Sequence, residues 1–92
     1  MRIIVSYDIS DDKRRRKVAK ILEGHGYRVQ FSVFECDLED HQIKKLWIRL
    51  KPLVSTKKGE SIRFYPLHAD SADKVQVLGK DHARFLSHTQ II

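Results

Sequence analysis

Residues 27–36 read Tyr27-Arg28-Val29-Gln30-Phe31-Ser32-Val33-Phe34-Glu35-Cys36. The stretch is rich in Val and Phe, the residue types that suit a pleated, packed strand. As one strand it sets Val29, Phe31 and Val33 against Arg28, Gln30, Ser32, Phe34 and Cys36. Both faces then carry bulk, which predicts cover on both sides. A break near Gln30 turns the same residues into two strands, and that choice decides the architecture.

N-terminal to this stretch, Ile3, Val5, Tyr7 and Ile9 alternate with Ile4, Ser6 and Asp8, the period of a strand with unequal faces. The period changes from Asp11. Val18, Ile21, Leu22 and His25 share one side of a helix, and Lys13, Arg16, Lys17 and Lys20 share the other. Ser10 or Asp11 can cap this helix, Asp11 and Asp12 suit its dipole, and Gly24 and Gly26 end it.

C-terminal to the stretch, a second amphipathic helix runs from Leu38 or Glu39 to Leu50. Its apolar residues Ile43, Leu46, Trp47 and Leu50 fall at spacings of three and four, and Pro52 stops it. Ser55 to Glu60 is a loop. Ser61 to His68 has strand character, and Pro66 inside it demands an edge position or a bulge, because proline cannot donate to a ladder. A polar link, Ala69 to Asp73, leads to a short strand over Lys74 to Leu78, closed by Gly79. Lys80 to Ile92 has no clear period, yet Phe85, Leu86, Ile91 and Ile92 make it too apolar for a free tail.

With the central stretch split, the order is βαββαβ, an α+β ferredoxin-like sandwich with an additional short C-terminal strand. Residues 1–92 form a single domain, with 1–79 as its core and 80–92 as a tail packed on a dimer or a partner. Two helices on one face of a four-stranded sheet leave the other face open. In a chain of 92 residues, an open face bearing Phe and Val calls for a second subunit, giving a homodimer with facing sheets.

The net charge of +6 puts polyanions first among partners. No apolar run approaches the roughly 20 residues of a membrane span, and the N-terminus enters a strand without the basic and apolar regions of a signal peptide. The single Cys36 excludes an internal disulfide and fits a reducing cytoplasm, as a small core hydrophobe.

Asp8 is the carboxylate without a ready explanation. At a strand end it must be solvated, paired or bound to a cation. One reading has it accept backbone N–H groups in the turn to the helix. The other has a twofold axis join it to its copy, so that one Mg²⁺ is shared by Asp8 of both subunits and acts on a phosphodiester. Lys13, Arg14, Arg15, Arg16, Lys17 and Lys20 cover the start and outer face of the first helix. Cations at a helix N-terminus oppose its dipole, which favours a phosphate-binding purpose for the cluster. Arg14 and Arg15 are expected to lean toward the strand end that holds Asp8, and Arg28, Lys57, Lys58 and Arg63 can extend the patch. His25, His41, His68, His82 and His88 show no zinc-ligand spacing. Phe31, Phe34, Phe64 and Tyr65 are expected mainly in the core, and no segment matches the RNP1 pattern of an RNA-reading domain.

Four segments together resemble the CRISPR-associated protein two family: Ser6-Tyr7-Asp8-Ile9, the basic helix Arg14 to Leu22, Arg28 to Glu35 with its Gln-x-Ser-Val-Phe core, and Ile62 to Leu67. The resemblance implies a ferredoxin-like homodimer whose strand-end aspartate, here Asp8, lies near the twofold axis and binds Mg²⁺. It implies that the final short strand, matched by Val75, Val77 and Leu78, pairs with the partner's sheet. It also implies roles in the nuclease site or dimer core for Tyr7, Arg15, Arg28 and Phe34. The implied activity is metal-dependent cleavage of RNA or DNA. The implied partners are CRISPR integrase subunits and a prespacer duplex or single-stranded RNA, with the dimer as a bridge during spacer acquisition. A toxin-like metal-dependent ribonuclease acting without an integrase is the alternative.

Overall fold

The computed structural model describes residues 1–83, 86 and 89–91. The central stretch is split. Gly26–Gln30 forms β2 and Val33–Asp37 forms β3, joined by a tight turn at Phe31 and Ser32. The two strands pair antiparallel, with the register shifting between Arg28 and Gln30. The turn and this irregularity break the simple alternation, so the faces do not follow from parity counted across all ten residues.

β1 (Arg2–Asp8) lies between β3 and β4 (Ser61–Leu67), and the sheet runs β2-β3-β1-β4 with every neighbouring pair antiparallel. α1 (Asp12–Glu23) connects β1 to β2, and α2 (Asp40–Leu50) connects β3 to β4. β4 is an edge strand, so Pro66 sits opposite Ile3 without breaking the register. This is the edge position its missing N–H demands.

The helix termini follow local chemistry. Asp11 caps α1 by accepting the backbone N–H of Arg14 at 2.8 Å, which selects Asp11 over Ser10. At the start of α2 the Gln42 side chain accepts the Glu39 backbone N–H at 2.8 Å, the return half of a capping box. Pro52 falls in a short 3₁₀ turn, Lys51–Leu53, directly after α2.

The core forms where alternate residues of β1 meet both helices. Ile3, Val5 and Tyr7 pack with Phe34 and Cys36 of β3, Val18 and Leu22 of α1, and Leu46 and Leu50 of α2. Each fully buried large side chain among these contributes about 1.5–3 kcal/mol of transfer free energy. The other face of the sheet carries Ile4, Ser6, Glu35 and Tyr65, all at least partly accessible, and the exposed Asp8. The cover expected on both sides of residues 27–36 is therefore present on one side within this chain.

The C-terminal region holds two elements that lack a sequence signal. Ala69–Ala72 makes one helical turn, α3, too short to show periodicity. Thr89–Ile91 forms β6, pairing parallel with β5 (Val75–Val77) as a separate two-stranded sheet. Three residues cannot display a convincing alternation, so this strand was invisible in the apparently aperiodic tail. Its described part pairs with β5 inside the chain; the expected packing of the tail on a dimer or a partner protein is a separate contact. The expectations for Phe85 and Ile92 lie outside the described residues. Asp81 is buried and accepts the Ala83 backbone N–H at 2.9 Å. Burial raises the Glu35 carboxyl above its ordinary value, with the Arg2 charge lowering it and the Asp81 charge raising it.

Candidate metal and nucleic-acid site

Asp8 ends β1 opposite Ser61 of β4 and is exposed on the sheet face away from the helices. Among the described residues its carboxylate has no hydrogen bond and no ion pair. The reading in which it accepts backbone N–H groups of the turn is not realised. Two residues back, Ser6 stands opposite Arg63 on the same face, and the Arg63 guanidinium donates to the Tyr65 hydroxyl at 3.2 Å. Among the described residues no group of three or more His, Cys, Asp or Glu side chains could hold a metal. One chain thus offers a single hard oxygen donor group. That set fits Mg²⁺, which keeps several waters and takes one or two carboxylates together with phosphate oxygens.

Two of the residues expected in the same site, Tyr7 and Arg28, lie elsewhere. Tyr7 points to the opposite face, where it is buried, donates its hydroxyl to the Phe31 carbonyl at 3.4 Å and stacks on Phe34 at 6.3 Å. Arg28 pairs with Phe34 across the β2–β3 ladder and holds its guanidinium 5.2 Å from the Phe34 ring centroid. It also lies 4.0 Å from the Glu23 carboxylate. Tyr7, Phe34 and Arg28 therefore form a column of stacked rings and guanidinium on the helix side. Successive strand residues point to opposite faces, so neighbours as close as Tyr7 and Asp8 cannot share a surface. Phe34 is fully buried in the chain's own core, as expected of an aromatic in this strand. Of the expected dimer residues on the last strand, Val75 and Val77 are half-buried in β5 and Leu78 is exposed.

The basic cluster divides in two. Lys13, Arg16, Lys17 and Lys20 are exposed along α1. Arg14 is turned inward, donating to both oxygens of the buried Glu60, with its Nη2 at 2.9 Å from Glu60 Oε2, and to the Leu53 carbonyl at 2.8 Å. These bonds tie Arg14 into the fold and turn it away from the exposed basic face on which it was expected to bind phosphate. Arg15 donates to the Ile9 carbonyl at 3.0 Å and pairs with Asp12, which brings it to the strand end as expected. Lys57, Lys58 and Arg63 are exposed.

Glu60 escaped the sequence reading. It accepts from the Ser10 hydroxyl at 2.6 Å, the Ser10 backbone N–H at 3.0 Å and the Ser55 backbone N–H at 2.9 Å, besides Arg14. The hydrogen bonds from Arg14 and then Ser10 hold its carboxyl far below the ordinary value of 4.5. Its only signal was an acid placed after Lys57-Lys58-Gly59 and directly before an apolar strand. The network pins the start of α1 to the start of β4 and so sets the position of the loop after Asp8.

Comparison with known proteins agrees with this architecture. The family model for CRISPR associated protein Cas2 matches residues 1–75. The chain is 43% identical over 77 residues to CRISPR-associated endoribonuclease Cas2 3 of Synechocystis, covering 84% of this chain and 83% of that protein. Among solved structures, Streptococcus pyogenes Cas2 aligns with a TM-score of 0.73 and 37% identity, over 86% of this chain and all of that one. A chain of a partial Cas6-RT-Cas1–Cas2 complex aligns with a TM-score of 0.67 and 30% identity, covering 79% of this chain and 84% of that chain.

Proposed function

The chain belongs to the Cas2 family, and from that premise we propose that it acts in CRISPR adaptation as a dimeric, nucleic-acid-binding bridge between integrase subunits. The βαββαβ connectivity and the β2-β3-β1-β4 order support a ferredoxin-like fold. The partly accessible second face of the sheet is the surface on which two copies would meet. β5 uses one edge on β6 and, among the described residues, leaves its other edge for a strand of the second copy. The related chain within a Cas1–Cas2 complex supports the integrase partnership.

The observation that carries the reading is Asp8, an exposed carboxylate with no hydrogen-bond or ion-pair partner among the described residues, on a face that α1 and α2 leave bare. Two copies of it would hold one Mg²⁺ between them, relieving the repulsion that two carboxylates at a twofold axis would otherwise feel. When bound, that cation would offset charge on a scissile phosphate and ease deprotonation of a water. Asp8 would hold the cation, and the exposed Arg63 on the same face would bind an adjacent phosphate as a bidentate donor. Tyr7 and Arg28 shape the strand end from the far side of the sheet without touching the substrate.

The endoribonuclease activity named for the Synechocystis relative supports phosphodiester cleavage as part of the function. Purified wild-type protein and Asp8→Ala are to be compared for Mg²⁺-dependent cleavage of RNA and of duplex DNA, beside duplex binding. Loss of cleavage with binding retained is expected. Equal cleavage by the variant excludes Asp8 as the metal ligand.

A further inference from the structure

The helix layer carries a cleft of about 430 Å³, lined by Lys17, Lys20 and Ile21 of α1, its C-cap Gly24, His25 just beyond, and Arg49 from the last turn of α2. Positions 17, 20, 21 and 24 follow helical spacing, so one stripe of α1 forms one wall. Among the described residues no carboxylate lines the cleft. Among the described residues, none of Lys17, Lys20 and Arg49 has a carboxylate within 4.0 Å.

Helix dipoles account for part of this arrangement. Lys20 lies in the last turn of α1 and Arg49 in the last turn of α2, where cations are favoured. His25 Nδ1 donates to the Ile21 carbonyl at 2.8 Å, which leaves Nε2 as its remaining polar atom. Dipoles do not explain why Lys17, a turn further back, opens onto the same space, nor why cations of two helices converge there unpaired. Like charges brought together repel, and the repulsion is relieved by a shared counter-ion.

We propose that this cleft is a phosphate-binding site for the nucleic-acid backbone, formed by Lys17, Lys20 and Arg49 with His25 at its rim. It rests on the nucleic-acid-binding reading above and extends it to a second surface, on the helix side of the sheet and away from Asp8. Gly24 offers a direct probe. Its φ of −75° is open to any residue, and a Cβ there meets only the Ile21 carbonyl oxygen at 3.4 Å. Gly24→Glu therefore adds a carboxylate to the cleft without backbone strain.

The test measures binding of two unrelated duplex DNAs across a salt series for wild type, Lys20→Ala/Arg49→Ala and Gly24→Glu, with folding checked by circular dichroism. For the double variant, affinity for both duplexes falls about tenfold or more at low salt. Its slope of log K against log salt shrinks by about 2, the value for two lost contacts. Gly24→Glu weakens binding in the same direction. Folded variants with unchanged affinity and slope overturn the cleft while leaving the nucleic-acid reading standing. A wild-type protein that binds no duplex overturns both. Inorganic phosphate is the second probe. If it shifts the His25 ring resonances while the double variant binds duplex normally, the cleft takes free phosphate only and the proposal fails.

Discussion

Arg14 and Glu60, 46 residues apart, close a two-armed ion pair between the first turn of α1 and the residue before β4. Arg14 is thereby removed from the basic surface, and the Glu60 carboxylate that also accepts from Ser10 and Ser55 gains a counter-charge. Because these hydrogen bonds depress the Glu60 pKa in the folded state, the stability they contribute is present above its ordinary value of 4.5 and drains away as pH falls below it. Thermal melts from pH 7 to pH 3 should show a steep acid limb for wild type. Glu60→Gln should melt on the order of 5–10 °C lower at pH 7, since Arg14 loses its counter-charge, and should show a shallower acid limb. Parallel pH profiles for the two proteins would refute this assignment.

Two glycines two residues apart should respond oppositely to a methyl group. A Cβ on Gly26 would lie 2.3 Å from the Glu35 carbonyl oxygen and 2.6 Å from Cys36 Sγ, inside the β2–β3 pair. Gly26→Ala should cost about 1–3 kcal/mol through overpacking. Gly24→Ala should be neutral or stabilising by up to about 1 kcal/mol, because it stiffens only the unfolded chain. Urea denaturation of both variants decides this, and equal midpoints would contradict it.

Phe34 tests whether the Tyr7–Phe34–Arg28 column is core or interface. Phe34→Ala should destabilise the protein by about 3–5 kcal/mol at any concentration, as expected for a fully buried aromatic. A loss of stability that appears only on dilution would instead place Phe34 in a contact between subunits.

Asp8→Ala should leave the stability within the range of an ordinary surface change, about 0.5 kcal/mol, because the carboxylate is exposed and has no hydrogen bond or ion pair among the described residues. Mg²⁺ should raise the melting temperature of the wild type and not of the variant. A variant that melts well below wild type without Mg²⁺ would show that Asp8 has a structural role.

Cys36 should be silent toward thiol reagents in the native state. Burial pushes its thiol up to about 11, and no surface of it is exposed. Labelling should therefore proceed at the rate of opening, and rapid stoichiometric labelling at pH 8 would show that the β2–β3 pair is loose.

Local periodicity carried much of the fold. The alternation of β1, the stripes of α1 and α2, and the choice between an edge and a bulge set by Pro66 are visible in the chain because each depends on residues a few positions apart. The split of residues 27–36 was legible only as a choice, since neither a glycine nor a proline marks the turn at Phe31 and Ser32. The one-turn α3 and three-residue β6 were not legible, because periodicity needs length.

The candidate site divides along the same line. The sequence by itself determined that Asp8 ends a strand, that a basic helix follows, and that the whole carries net positive charge. Only the tertiary structure decided which of these groups share a surface. Strand geometry sends Tyr7 and Asp8 to opposite faces, a partner distant in the chain claims Arg14, and two helices bring Arg49 beside Lys17 and Lys20. Each of these outcomes depends on contacts between segments tens of residues apart, where side-chain direction and desolvation, rather than residue type, determine what a charge is free to bind.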